Sequence, residues 1–175
     1  AICSLGYSEP GCGSDVFAAK TKATQLEDGS WRIDGAKMWT SGANIAQYVL
    51  MLTRTNPDVP KHKGLTMFIV DMKQEGVEVR PINQITGEDE FNEVFIDDAR
   101  VPERFIIGTL NQGWRSFQTA IASERLIMGL GITSRLRGQA GKIPALLSLA
   151  HKHDKLKYPV LRQEIAQALA YRQLN

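Results

Sequence analysis

The sequence predicts an α+β protein: an antiparallel β-barrel or sandwich over residues 1–107, followed over 108–175 by the beginning of an α-helical bundle. Three observations predict it. Short β-rich runs separated by Gly, Asn, Asp and Pro fill the first part with no helical stretch between them. After Gly113 the apolar residues instead recur at steps of three and four. Between the two parts, over Asp98 to Asn111, Val101-Pro102-Glu103 and Gly108 interrupt both periods.

The elements follow in order. Lys20–Leu26 and Trp31–Asp34 flank Glu27-Asp28-Gly29-Ser30, where Asp-Gly marks a hairpin turn. Lys37–Ser41, Tyr48–Thr53, Leu65–Val70, Val77–Arg80 and Val94–Ile96 are the further strands. Asn56–Lys63 carries two prolines and a histidine and reads as an exposed loop. In the second part, Trp114, Phe117, Ile121 and Met128 form one helical stripe, and Leu161, Ile165, Ala168 and Leu169 another. Pro144 and Pro159 stand where helices can begin, because a first-turn proline forfeits no hydrogen bond.

Composition excludes several functions. With a net charge of +2 and basic residues interleaved with acids, the chain has no stripe suited to tracking nucleic-acid phosphates. No apolar run approaches the length of a membrane span. Cys3 and Cys12 are the only cysteines, without CxxC spacing or a histidine cluster, so neither a disulfide framework nor a metal site is expected. A reducing cytoplasm is the expected setting. Ala1–Leu5 lacks the basic start of a signal peptide and reads as the inside of a domain, so a piece of a longer protein is expected.

Two features carry chemistry. Ser8-Glu9-Pro10-Gly11-Cys12-Gly13-Ser14-Asp15 packs a proline, two glycines, two hydroxyls and two carboxylates into one tight segment. Such a segment is a plain turn or a loop whose amides and hydroxyls hold a polar ligand edge. Gly11-Cys12-Gly13 is not a dinucleotide fingerprint, since Val16 stands at the last GxGxxG position and no strand-then-helix context surrounds it. Cys12 has no histidine near it in sequence. His151 and His153, two apart, do not share a helix face. The second feature is Glu124, which interrupts the stripe of Trp114, Phe117, Ile121 and Met128. A carboxylate there is costly to bury ionised; it either lies at the edge of the stripe, paired with an arginine, or is a base in a dry pocket.

Taken together in order, Tyr7–Asp15, Gly35-Ala36-Lys37-Met38-Trp39-Thr40-Ser41, Phe95–Pro102, Gly113-Trp114 and Glu124-Arg125 resemble the acyl-CoA dehydrogenase family, flavoenzymes that introduce an α,β double bond into acyl-CoA thioesters. The resemblance covers nearly the whole chain. It implies the middle β-domain and the start of the C-terminal helical domain, without the N-terminal helical domain and the last helices. It further implies FAD as cofactor, with Leu5, Tyr7, Ser8, Gly13 and Ser14 of one segment and Trp39, Thr40 and Ser41 of another beside the isoalloxazine ring. Outside that likeness, Trp39 reads as a core residue of a strand. Ser14 and Arg125 would lie near the acyl-CoA substrate. Glu124 would be the catalytic base, as in isovaleryl-type and long-chain-type members, while most members take it from a late helix. An electron-transfer flavoprotein and a homo- or hetero-oligomer are the implied partners. Cys12 replaces the usual alanine and is a small filler. His151–Pro159 lacks the Arg and Phe with which many members touch the FAD of a neighbouring subunit. With Pro159-Val-Leu-Arg-Gln163 opening the next helix, this region resembles bacterial relatives that degrade unusual, some sterol-derived, acyl chains. A non-catalytic subunit of a hetero-oligomeric flavoprotein and a related flavin oxidase are the alternatives.

Overall fold

The computed structural model describes residues 1–129 and 145–174. They fall into two compact units, Ala1–Ala120 and Ile121–Asn175. The first holds strands β1 (Cys3–Gly6), β2 (Lys22–Gln25), β3 (Trp31–Ser41), β4 (Tyr48–Arg54), β5 (Leu65–Asp71), β6 (Val77–Pro81), β7 (Phe91–Val101) and β8 (Ile106–Ile107). They make one sheet in the order β6-β7-β3-β2-β4-β5-β8, with β1 also beside β4. The expected hairpin joins β2 to β3. Gly29 supplies its left-handed residue (φ 81°) and the Asp28 carboxylate accepts from the Ser30 amide at 2.9 Å and hydroxyl at 2.6 Å.

Antiparallel pairing holds for β2–β3, β3–β7, β4–β5, β5–β8 and β6–β7. It does not hold along one flank of β4, where β1 pairs in parallel from Tyr48 to Met51 and β2 in parallel at Arg54. The chain leaves β4 after β1, makes an excursion, and returns to the same strand in the same direction. The two expected strands Trp31–Asp34 and Lys37–Ser41 are one strand, β3. Gly35 joins them because its φ of 150° and missing Cβ let Thr21 lie against it: a Cβ there would sit 2.8 Å from Thr21 Cα. Val94–Ile96 is likewise the centre of a longer strand.

Alternation builds the core. Trp31 and Ile33 of β3, Val49 and Met51 of β4, Phe68 and Val70 of β5, and Val94, Ala99 and Val101 of β7 pack together. Each Val, Ile, Met or Phe among them contributes about 1.5–3 kcal/mol when fully buried. β5 is buried at consecutive positions from Leu65 to Phe68, so both of its faces are covered.

Helix α1 (Gly113–Gly129) begins in the first unit. A Cβ on Gly113 would lie 2.8 Å from the Leu65 carbonyl oxygen, so the helix start needs that glycine. In the second unit, α2 (Ala145–Lys152) and α3 (Pro159–Leu174) flank a 3-10 turn at Lys155–Lys157. Pro159 opens α3 as expected. Ala150 and Ile165 are buried, whereas Leu161 and Ala168 of the expected stripe are exposed. Pro144 and the side chains of Met128 and Leu169 lie outside the described residues. No described helix is long and apolar enough to cross a membrane.

Candidate functional site

The excursion between β1 and β2 runs from Tyr7 to Thr21. Its head is a tight turn in which Glu9 and Cys12 exchange backbone hydrogen bonds of 2.8 and 3.1 Å. Pro10, Gly11, Gly13 and Ser14 are exposed, and Cys12 is folded beneath them. Neither Gly11 nor Gly13 would meet anything within 4 Å of an added Cβ, so the backbone here faces open space. Burial, reinforced by the Glu9 carboxylate, pushes the Cys12 thiol up, which suits a filler and not a nucleophile. Leu5 and Ser8 are half-buried and Tyr7 is buried. Tyr7 meets Phe117 edge-on at 5.0 Å, and Phe17 meets Trp114 at 4.5 Å, so aromatic packing fixes the excursion against the start of α1.

The second segment lies on β3. Strict alternation after the inward Trp31, Ile33 and Lys37 would turn Trp39 into the core. Instead the β3–β7 register shifts between Lys37 and Thr40, with Trp39 as the extra residue at φ 61°. A bulky side chain in that left-handed region is rare and costs roughly 1–2 kcal/mol. The bulge leaves Trp39 53% exposed, touched edge-on by Phe91 at 6.2 Å. It also reverses the next two residues. Thr40 is fully buried with its hydroxyl unpaired, and Ser41 is exposed. Of the two hydroxyls expected at the ring, Ser41 faces outward and Thr40 faces inward.

The two segments are joined directly. The Met38 amide donates to the Ser8 carbonyl at 2.9 Å. Beneath that bond lies a pair that the sequence reading left without a role. Lys37, completely buried, donates to Glu9 at 2.8 Å, to the Leu52 carbonyl at 2.6 Å and to the Tyr7 carbonyl at 3.3 Å. Glu9 in turn accepts from the amides of Lys20 at 2.7 Å and Thr21 at 2.9 Å. Burial alone would raise the Glu9 carboxyl, but the Lys37 ammonium and these donors outweigh it and hold it below its ordinary value. Burial draws the Lys37 ammonium down, partly offset by Glu9. Removing one partner of such a pair costs about 3–5 kcal/mol, because the other is left charged and dry. A lysine in a strand of alternating pattern, at an inward position, was the available signal.

Glu124 and Arg125 lie on α1 within the second unit. Glu124 is half-buried, on the same helical face as the half-buried Trp114, Phe117 and Ile121, and Arg125 is exposed. Among the described residues no three His, Cys, Asp or Glu side chains gather as metal ligands.

Comparison with known proteins adds to this geometry. Residues 4–99 match the family model described as acyl-CoA dehydrogenase, middle domain. The acyl-CoA dehydrogenase FadE34 of Mycobacterium tuberculosis is 49% identical over 129 residues, covering 74% of this chain and 18% of its own length. The acyl-CoA dehydrogenase IpdE1 of the same organism is 39% identical over 163 residues, covering 93% of this chain and 41% of its own length. Among solved structures, the Tcur3481-Tcur3483 steroid ACAD superposes with a TM-score of 0.80 at 32% identity, covering 97% of this chain and 42% of that one. The ChsE4-ChsE5 complex from Mycobacterium tuberculosis does so at 0.63 and 31% identity, covering 98% of this chain and 48% of that one. The chain therefore spans less than half the length of the relatives that it matches.

Proposed function

The chain belongs to the acyl-CoA dehydrogenase family, and from that premise we propose that the protein of which it forms part carries out FAD-dependent α,β-dehydrogenation of an acyl-CoA thioester. The observation that carries the reading is the bulge at Trp39. A fold that alternation would have closed over this indole turns it outward, beside an exposed Ser41 hydroxyl, and hydrogen-bonds the adjoining residue to the loop bearing Gly13 and Ser14. Strained residues of this kind cluster at ligand sites. An exposed tryptophan, an exposed serine and exposed glycines with open space beside them fit the planar, hydrogen-bonding ring system of a flavin.

When bound, the flavin supplies the acceptor for the hydride leaving the substrate β-carbon. Trp39 would cover the flavin ring, Ser41 and Ser8 would donate to its polar edge, and the Gly13 and Ser14 amides would offer it fixed donors. Leu5 and Tyr7 complete the wall. The family likeness assigns Ser14 and Arg125 to the acyl-CoA and gives Glu124 the role of the base for the α-proton. An electron-transfer flavoprotein is the electron acceptor that the family likeness implies. The proposed setting is the cytoplasm; assembly as a homo- or hetero-oligomer is supported by the ChsE4-ChsE5 complex among the structural relatives. Another structural relative is a steroid ACAD, which puts sterol-derived acyl-CoA esters first among the substrates to try.

The test uses the full-length protein. It purifies yellow, with an FAD spectrum that bleaches anaerobically on adding a suitable acyl-CoA. Glu124→Gln keeps the flavin and slows bleaching about 10²–10⁴-fold. A colourless protein that cannot be reconstituted with FAD favours a non-catalytic subunit, and unimpaired bleaching by Glu124→Gln places the base elsewhere.

A further inference from the structure

We propose that Glu9 and Lys37 form a positioning pair that sets the flavin-facing loop against the flavin-facing strand. The inference rests on the functional reading above. Glu9 is the first residue of the turn that projects Gly11, Gly13 and Ser14, and Lys37 stands two residues before the Trp39 bulge. Between them they fasten four segments. Lys37 anchors β3 to the Tyr7 carbonyl of the excursion and to the Leu52 carbonyl of β4, and Glu9 anchors the turn to the amides that lead into β2. Every proton of the ammonium has an acceptor within 3.3 Å, and both carboxylate oxygens have donors.

Stability does not demand this arrangement. Apolar residues of similar volume commonly replace a buried ion pair with no loss. What a satisfied ammonium–carboxylate pair supplies that an apolar contact does not is direction, because each bond specifies where its partner backbone must lie. Here the bonds run from β3, two residues before Trp39, to the Tyr7 carbonyl beside the turn, to β4 and, through Glu9, to the amides that lead into β2. The turn bearing Gly13 and Ser14 and the strand bearing Trp39 are thus held to one frame.

The experiment compares flavin-bound and flavin-stripped full-length protein with two variants and a control. In Glu9→Gln the shape is kept, but an amide NH2 opposes either Lys37 or one of the backbone donors. We expect FAD to bind at least ~10-fold more weakly, an order of magnitude in the equilibrium constant for each tie worth one such bond. In the stripped protein, amide exchange across Gly11–Asp15 and at Met38 should accelerate while β5 is unchanged. The control Val101→Ala opens the core at the far end of β3, where Val101 pairs with Trp31. It should lower Tm comparably and leave FAD affinity within about twofold. Should Glu9→Gln fail to fold, the double variant Glu9→Gln/Lys37→Met removes both charges and should fold while still binding FAD weakly. FAD affinity within about twofold of wild type in a folded variant, or equal weakening by Val101→Ala, overturns the inference. A wild-type protein that takes up no FAD overturns the functional reading and this one with it; normal uptake by wild type and variants alike overturns this one alone.

Discussion

The two ends of β3 carry a tryptophan each and use it in opposite ways. Trp31 is 4% exposed, tilted against Phe68 at 5.5 Å, and sits among the apolar residues of the core. Trp39, farther along the same strand, is 53% exposed and left-handed. The residue type and the strand are the same; the register differs. Two irregularities lie between them on the β3–β7 ladder, and the second moves Trp39 off the face that Trp31 occupies. One end of the strand is shaped by packing and the other by what it must present.

Three measurements test that contrast, from the largest effect to the smallest. Trp31→Ala should cost about 3–5 kcal/mol in denaturant unfolding of the full-length protein, as aromatic truncations in cores do. Trp39→Ala should stay within ~0.5 kcal/mol and instead change the visible flavin spectrum. Equal losses at the two sites would dissolve the distinction. The second measurement concerns the pair between the two ends. In the window between the lowered folded value of Glu9 and its ordinary 4.5, the unfolded chain binds more protons than the folded one. Stability therefore rises with pH across that window, is fully present above it, and is lost as pH falls through the folded value. Tm followed from about pH 7 to about pH 3 should show this loss, flattened in Glu9→Gln. The smallest effect comes from Trp39→Gly, which should be more stable than Trp39→Ala by about 1 kcal/mol, since glycine accepts the left-handed bulge without strain. No difference between the two would mean that the bulge is not where the strain resides.

Much of the fold was legible in local sequence. The Asp28-Gly29 turn fixed a hairpin, and the apolar runs Tyr48–Thr53 and Leu65–Val70 named their strands to within one residue. What escaped has a common cause. β1 is four residues long and opens into a polar, glycine-bearing segment, so nothing local distinguishes it; only its pairing with β4 makes it a strand. Gly35 reads as a break, but its partner Thr21 turns it into a close crossing. Alternation assigns Trp39 to the core and cannot place a bulge, because the bulge is a property of the ladder with β7. The same holds at the site. Ser8, Gly13, Ser14, Trp39 and Ser41 were named from motifs and face outward or lie half-buried, while Thr40, named with them, is turned inward by that bulge. Glu9 and Lys37 stood inside quoted motifs, yet their roles depend on a contact across 28 positions, which no local pattern encodes.

β1 and β2 lie end to end along one flank of β4. For hydrogen bonding they are one strand, and the segment from Tyr7 to Thr21 is an insertion in it. Both roots of that insertion are pinned to the same ruler, so a change in the exposed tip at Pro10–Ser14 is absorbed outward, without re-registering the sheet. Divergence can thus reshape the tip one residue at a time, while the scaffold beneath it keeps a single inheritance.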